Sequence, residues 1–266
     1  MSGDRARSGC ASGMRLREKR MRRDGNVQNA FTVTRLIAVA GASLTLALGI
    51  SACQVVAGFS QPSLVRVIDA SYIAPAVNIY VEKTIFASNI GEGYISNYGT
   101  TAPSQAAQVT VTAATGGATL VSATVTLTAG AQHSVFLTDN GSTPTLYSVT
   151  VLEDAKTAAA SGHSSFRFLN QAPRTGALDV YMVPSGTTLA NTIPLCTAIA
   201  VGQTCGYVSF ASQTVTMVIT PAGLTTPKYT STPLALTGGE VRTVVMVDSQ
   251  LTSNPPVNVV IADDVN

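Results

Sequence analysis

Residues 65–81 of this chain read VRVIDASYIAPAVNIYV, and residues 166–182 read FRFLNQAPRTGALDVYM. The two stretches align without a gap at an offset of 101. Arg66 falls on Arg167, Asn78 on Asp179 and Tyr80 on Tyr181. Two further blocks follow in the same order. GYIS at 93–96 answers GYVS at 206–209, which sets Tyr94 against Tyr207, and ATVTLTAGAQHSVFLTDN at 123–140 answers TPLALTGGEVRTVVMVDS at 232–249. Each half then closes on a short apolar strand and an acidic pair, SVTVLED at 148–154 and NVVIADD at 258–264. A period near 105 residues is a duplicated domain, far longer than the 20–50 residues of a solenoid repeat.

The pattern inside each copy is β. Val77, Ile79 and Val81 alternate with Asn78, Tyr80 and Glu82, and Val215, Met217 and Ile219 alternate in the same way. Alternation with a period of two marks strands that bury one face. Gly116-Gly117, Asp139-Asn140-Gly141, Gly238-Gly239 and Pro255-Pro256 supply the turns between them. Val and Thr are abundant and Trp is absent; β-branched side chains favour the pleated surface. Six to eight short strands per copy predict an all-β chain of two tandem antiparallel β-sandwiches. The expected boundaries are a signal peptide at 1–52, a lipidated Cys and tether at 53–62, sandwich repeat 1 at 63–154, a linker at 155–163 and sandwich repeat 2 at 164–266.

The first block also resembles the opening of a bacterial family known as Domain of Unknown Function 4397. Its members show a run such as R-V-x-H-A-S-P-D-A-P-A-V-D-V-Y-V, then a GxVS-like segment and a late L-x-A-G turn. Arg66, Ala70, Ser71, Ala74, Pro75, Ala76, Val77, Tyr80 and Val81 match that run. The family's His position holds Asp69 in the first copy and Asn170 in the second, which has lost the SPDAPAV wording. The resemblance covers nearly all of the chain from residue 53 onward and is stronger in the first half. It implies an immunoglobulin-like sandwich, often in tandem on exported proteins, and no known chemistry.

Ahead of the repeats, residues 36–50 form an uncharged apolar run, LIAVAGASLTLALGI, preceded by Arg15, Arg17, Lys19, Arg20, Arg22, Arg23 and Arg35. A basic region, a short apolar region and small residues describe a secretory signal. The run is shorter than the roughly 20 residues a membrane span needs. The ending Ile50-Ser51-Ala52-Cys53 resembles the lipobox of bacterial lipoproteins. That resemblance implies cleavage before Cys53, lipidation of its thiol and a membrane partnership through the lipid. The protein is then expected in the cell envelope. Gln54 after the Cys implies the outer membrane where the cell has one.

From Cys53 onward the chain holds 7 Lys+Arg against 11 Asp+Glu, net −4. That balance excludes a nucleic-acid partner, which requires clustered basic residues. Two cysteines remain after Cys53. Cys196 and Cys205 are an even pair in an oxidising compartment and are expected to form a disulfide. The offset grows from 101 to 113 between the first and second blocks, which puts both cysteines in a twelve-residue insertion of the second copy.

No GxSxG elbow, SxxK, HExxH or phosphate-cradling loop occurs. The two histidines, His133 and His163, have no Cys or acidic partner at ligand spacing and read as surface residues. Glu153-Asp154 and Asp263-Asp264 could offer hard oxygens to Ca²⁺, but no calcium-loop pattern supports it and they read as solvated strand ends. Tyr72, Tyr94, Tyr98 and Tyr207 could stack on sugar rings if exposed, whereas tyrosines matched between copies read as packing residues. No catalytic residue, metal or cofactor is expected. The function predicted is a non-catalytic, lipid-anchored envelope protein of structural or interaction type, with a protein or glycan partner. The alternative is an envelope hydrolase or solute-binding lipoprotein.

Overall fold

The computed structural model describes residues 60–140, 146–249 and 255–265. The signal segment and Cys53 lie outside them. The described residues are all-β, with one 3₁₀ turn at Leu189–Asn191.

The first half contains β1 (Ser63–Asp69), β2 (Val77–Val81), β3 (Thr84–Ile90), β4 (Gly99–Thr101), β5 (Ser104–Ala113), β6 (Thr119–Leu127), β7 (Gln132–Asp139) and β8 (Tyr147–Asp154). They form two sheets, ordered β4-β1-β7-β8 and β3-β2-β5-β6. The second half contains β9 (His163–Gln171), β10 (Leu178–Pro184), β11 (Cys196–Ile199), β12 (Thr204–Ala211), β13 (Thr214–Pro221), β14 (Tyr229–Thr230), β15 (Leu234–Ala235), β16 (Val241–Asp248) and β17 (Val257–Asp263). Its sheets run β12-β9-β16-β17 and β11-β10-β13-β14, with β15 also on β13. Most neighbours are antiparallel. One pair in each half, β1 with β7 and β9 with β16, is parallel. Such a pair needs a long crossover, and here the chain visits the other sheet before it returns.

Each half closes its own core. Val65, Val67, Val135 and Leu137 of one sheet meet Val77, Ile79, Val109 and Val111 of the other. In the second half, Phe166, Phe168, Val244 and Met246 meet Val180, Met182, Met217 and Ile219.

A third cluster joins the halves. Ile68, Ala70 and Phe136 pack with Leu169, Val245, Val247, Val260 and Ala262. Strands β1, β7, β9 and β16 are therefore buried on both faces, and their burial patterns are nearly continuous. The four sheets stack as outer, inner, inner, outer. All of the described residues belong to one compact unit. Burying a large apolar side chain is worth about 1.5–3 kcal/mol, so this shared layer couples the two halves strongly.

The strand register corrects the alignment of the copies. Val77 pairs with Ile90 and Leu178 with Ile199. Val65 pairs with Gly99 and Phe166 with Val208. The offset is thus 109 by Ile90, and the structural counterpart of Tyr207 is Tyr98, not Tyr94. Backbone geometry agrees. Asn89 and Ala198 share a positive φ, of 52° and 49°. Their amides donate to the side chains of Asn78 and Asp179 respectively. The insertion is therefore eight residues and lies between β10 and β11. Cys196 and Cys205 follow it, at the positions of Ala87 and Ser96.

The Cys196–Cys205 disulfide is present, with Cα atoms 6.2 Å apart. It joins β11 to β12, edge strands of different sheets. It is therefore a tie between the two layers of the second sandwich, where the sequence placed both cysteines within one insertion.

Candidate functional site

The densest polar cluster lies where the halves meet, and it is built twice. Arg66 projects from β1. Its Nε donates to Ser134 Oγ at 2.6 Å, its Nη1 to the Asp263 carbonyl, and its Nη2 to Asp264 Oδ1. Arg167 projects from the matching place on β9. Its Nε donates to Thr243 Oγ1 at 3.0 Å, its Nη1 to the Glu153 carbonyl at 2.6 Å, and its Nη2 to Asp154 Oδ1 at 2.5 Å. Each arginine thus reaches the acidic residue that ends the opposite half. The acids are held at home as well. Ser134 and Tyr98 donate to Asp154 Oδ2 at 2.6 and 2.8 Å, and Thr243 and Tyr207 donate to Asp264 Oδ2, both at 2.7 Å. The tyrosine rings carry the guanidinium groups 4.9 Å (Tyr98) and 4.6 Å (Tyr207) from their centroids.

Both arginines and both aspartates are buried. Burial, and then the neighbouring Asp154 charge, push the Asp264 carboxyl above the ordinary aspartate range. The Tyr207 hydroxyl is pushed up to about 12, chiefly by burial, and Tyr98 is raised for the same reason. Every donor of each guanidinium fork named above has an acceptor inside the protein. The cluster is a buried structural junction, and only one member of each acidic pair is a solvated strand end: Glu153 and Asp263 are exposed, whereas Asp154 and Asp264 are buried. Asp154 and Asp264 face inward and take an arginine; Glu153 and Asp263 give their carbonyls to the same arginines.

His133 is buried rather than at the surface. Its Nε2 accepts the Thr128 amide at 3.3 Å, and burial lowers its proton affinity. His163 is exposed, with Nδ1 near the Ser161 carbonyl. Tyr94 is exposed and borders an open groove of about 720 Å³ with Phe86, Asn89 and Glu92. Among the described residues no group of three or more His, Cys, Asp or Glu is arranged to hold a metal.

The open surface with the most regular chemistry is the outer face of the β3-β2-β5-β6 sheet. Register places Tyr80, Thr110 and Ser122 in one row and Asn78 beside Thr112 in another. Gln108 lies opposite Thr124 and donates to its hydroxyl at 2.7 Å. Thr110 and Ser122 hydroxyls lie 2.9 Å apart. These side chains are half-buried to exposed, and Glu82 is the only carboxylate among them. The matching face of the second half is closed: Tyr181, Val183 and Val218 are buried there beneath Leu189, which the eight-residue insertion brings over them. Asp179 on that face is used up by the amides of Ala198 and Gly223.

Residues 63–181 match the family model described as "Domain of unknown function (DUF4397)". That span is the whole first half together with β9 and most of β10. No curated protein matches the chain. Among solved structures, it is similar to the family 26 carbohydrate-binding module CBMbc of Eubacterium rectale Amy13K, crystallised with maltoheptaose. The identity is 12%, with 75% of this chain and 96% of that chain covered and a TM-score of 0.23. A likeness at that score carries no argument about fold or ligand.

Proposed function

We propose that this chain is an exported envelope protein, anchored by lipid on Cys53, that works by binding without catalysis, and that its ligand is a glycan held on the outer face of the first sandwich. The observation that carries the reading is the contrast between the two outer faces. One is covered by its own insertion. The other leaves hydroxyls, amides and the Tyr80 phenol in rows, with a single carboxylate. Neutral donors and acceptors beside an aromatic ring suit sugar hydroxyls and their apolar faces. The polar groups that could have served catalysis, Arg66, Arg167, Asp154 and Asp264, are consumed inside the junction.

The test uses residues 54–266 and a panel of insoluble envelope and storage polysaccharides. Co-sedimentation is expected with at least one of them. Tyr80→Ala combined with Thr110→Arg should lower retention by about tenfold, equivalent to roughly 1.4 kcal/mol. Equal retention of the variant, or turnover of a polysaccharide, would refute the reading. The anchor is tested separately. Cys53→Ser in the full chain should move the protein from the detergent-extracted membrane fraction to the soluble one.

A further inference from the structure

The clearest chemical difference between the copies lies at the last residue of β1 and at its counterpart, one residue before the end of β9. Asn170 sits there in the second half. Its Oδ1 accepts the Ala172 amide at 2.9 Å, and its Nδ2 donates to the carbonyls of Gly176 and Ile199, both at 2.8 Å. Asp69 occupies the same place in the first half. Its Oδ1 accepts the Ser71 amide at 3.0 Å, the same local turn. Its Oδ2 stands where Asn170 carries a donor, is fully buried, and has no hydrogen-bond partner. The carbonyls equivalent to those of Gly176 and Ile199 belong to Pro75 and Ile90. A buried carboxylate oxygen with no donor to meet it is unfavourable; a protonated one can donate as the amide does.

We propose that Asp69 is held as the neutral carboxylic acid, donating its proton to a backbone carbonyl where Asn170 donates its amide, so that the first half carries a pH-sensitive lock that the second half lacks. The charged neighbours act in the same direction. Burial contributes most to raising the Asp69 carboxyl to about 7, with smaller contributions from Asp139 at the end of β7 and Glu92 in the loop after β3; the Ser71 amide opposes them. Asp139 is fixed by the Ser71 hydroxyl and the Tyr72 amide. Glu92 accepts from Asn258 of the second half at 3.1 Å. Tyr72 faces Arg174, with Asp139 and Asp248 nearby.

The sign of the effect follows from proton counting. Between the ordinary aspartate value and about 7, the folded chain holds a proton at Asp69 that the unfolded chain has released. Stability therefore falls as pH rises through that window and levels off above it.

The experiment is a carboxyl ¹³C titration of residues 54–266, with the Asp69 signal assigned by its loss in Asp69→Asn. A midpoint above about 5.5, well over the ordinary aspartate value, supports the proposal, and one at or below it overturns the proposal. In thermal melts, Asp69→Asn should gain on the parent by about 5 °C between about pH 5 and pH 8.5. Parallel profiles would also overturn it. Asn170→Asp should transplant the same pH dependence into the second half. Should that variant fail to fold, the titration of the parent protein still decides.

Discussion

The two halves share strand order, register and buried arginine, and they differ in how each finishes its edges. The first half leaves its outer sheet open, places Ala87 and Ser96 on its edge segments, and ends β1 on Asp69. The second lays Leu189 over the matching sheet, joins Cys196 to Cys205 in place of those two residues, and sets Asn170 one residue before the end of β9. The second half has therefore gathered covalent and apolar support, while the first has kept exposed polar surface. Under the proposed function, the difference separates two tasks that one sandwich would have to combine: holding the shared core together, and presenting a face to a ligand.

The comparison breaks most readily at the junction the halves share. Arg66→Met leaves Asp264 buried without its cation and should cost about 3–5 kcal/mol; Asp264→Ala should do the same from the other side. Urea unfolding followed separately in each half should still give one transition, since the layer around Ile68, Phe136 and Val245 spans both. Two separated transitions would show that the halves are independent. Next in size is the disulfide. Giving the second half the first half's residues, Cys196→Ala with Cys205→Ser, should cost about 2–3 kcal/mol, read as a lower urea midpoint. A smaller effect tests the symmetry of the junction. Tyr98→Phe removes one hydrogen bond to a buried carboxylate and should cost about 1.5 kcal/mol. Tyr207→Phe removes the matching bond and also leaves the Ala155 amide without its acceptor, so it should cost more; equal values would show that the Ala155 contact contributes nothing. Smallest are changes on the open face. Thr110→Ala and Ser122→Ala should alter stability by no more than about 0.5 kcal/mol, while lowering polysaccharide retention.

The alternating strands and the duplication were readable because period-two burial leaves its mark directly in residue order. The junction was not. Arg66 and Arg167 stood out only as matched positions, and Asp154 and Asp264 looked like strand ends in water, because nothing local says that another copy covers them. Inner strands such as β7 and β16 give a hint in their unbroken apolar runs, VFL and VVMV, which one solvated face would not produce. The shared GY wording misplaced Tyr94, since only the ladder shows that Gly93 serves a turn while Gly206 lies in a bulged strand. His133 followed the polar alternation of its strand, yet the loop at Thr128 folds back over its ring. The disulfide was legible from parity and the expected export. The layers it ties were not, because the edge order depends on where the eight added residues fall.

Arg66 and Asp264 are separated by 198 positions in the chain. Closures this long slow folding. Ile68 and Phe136 gain their full cover only when β16 and β17 dock beside β9, so a chain cut before residue 264 would keep the strands of the first sandwich yet lose the carboxylate that holds Arg66. The last residues of the second copy are thereby a part of the first copy's core.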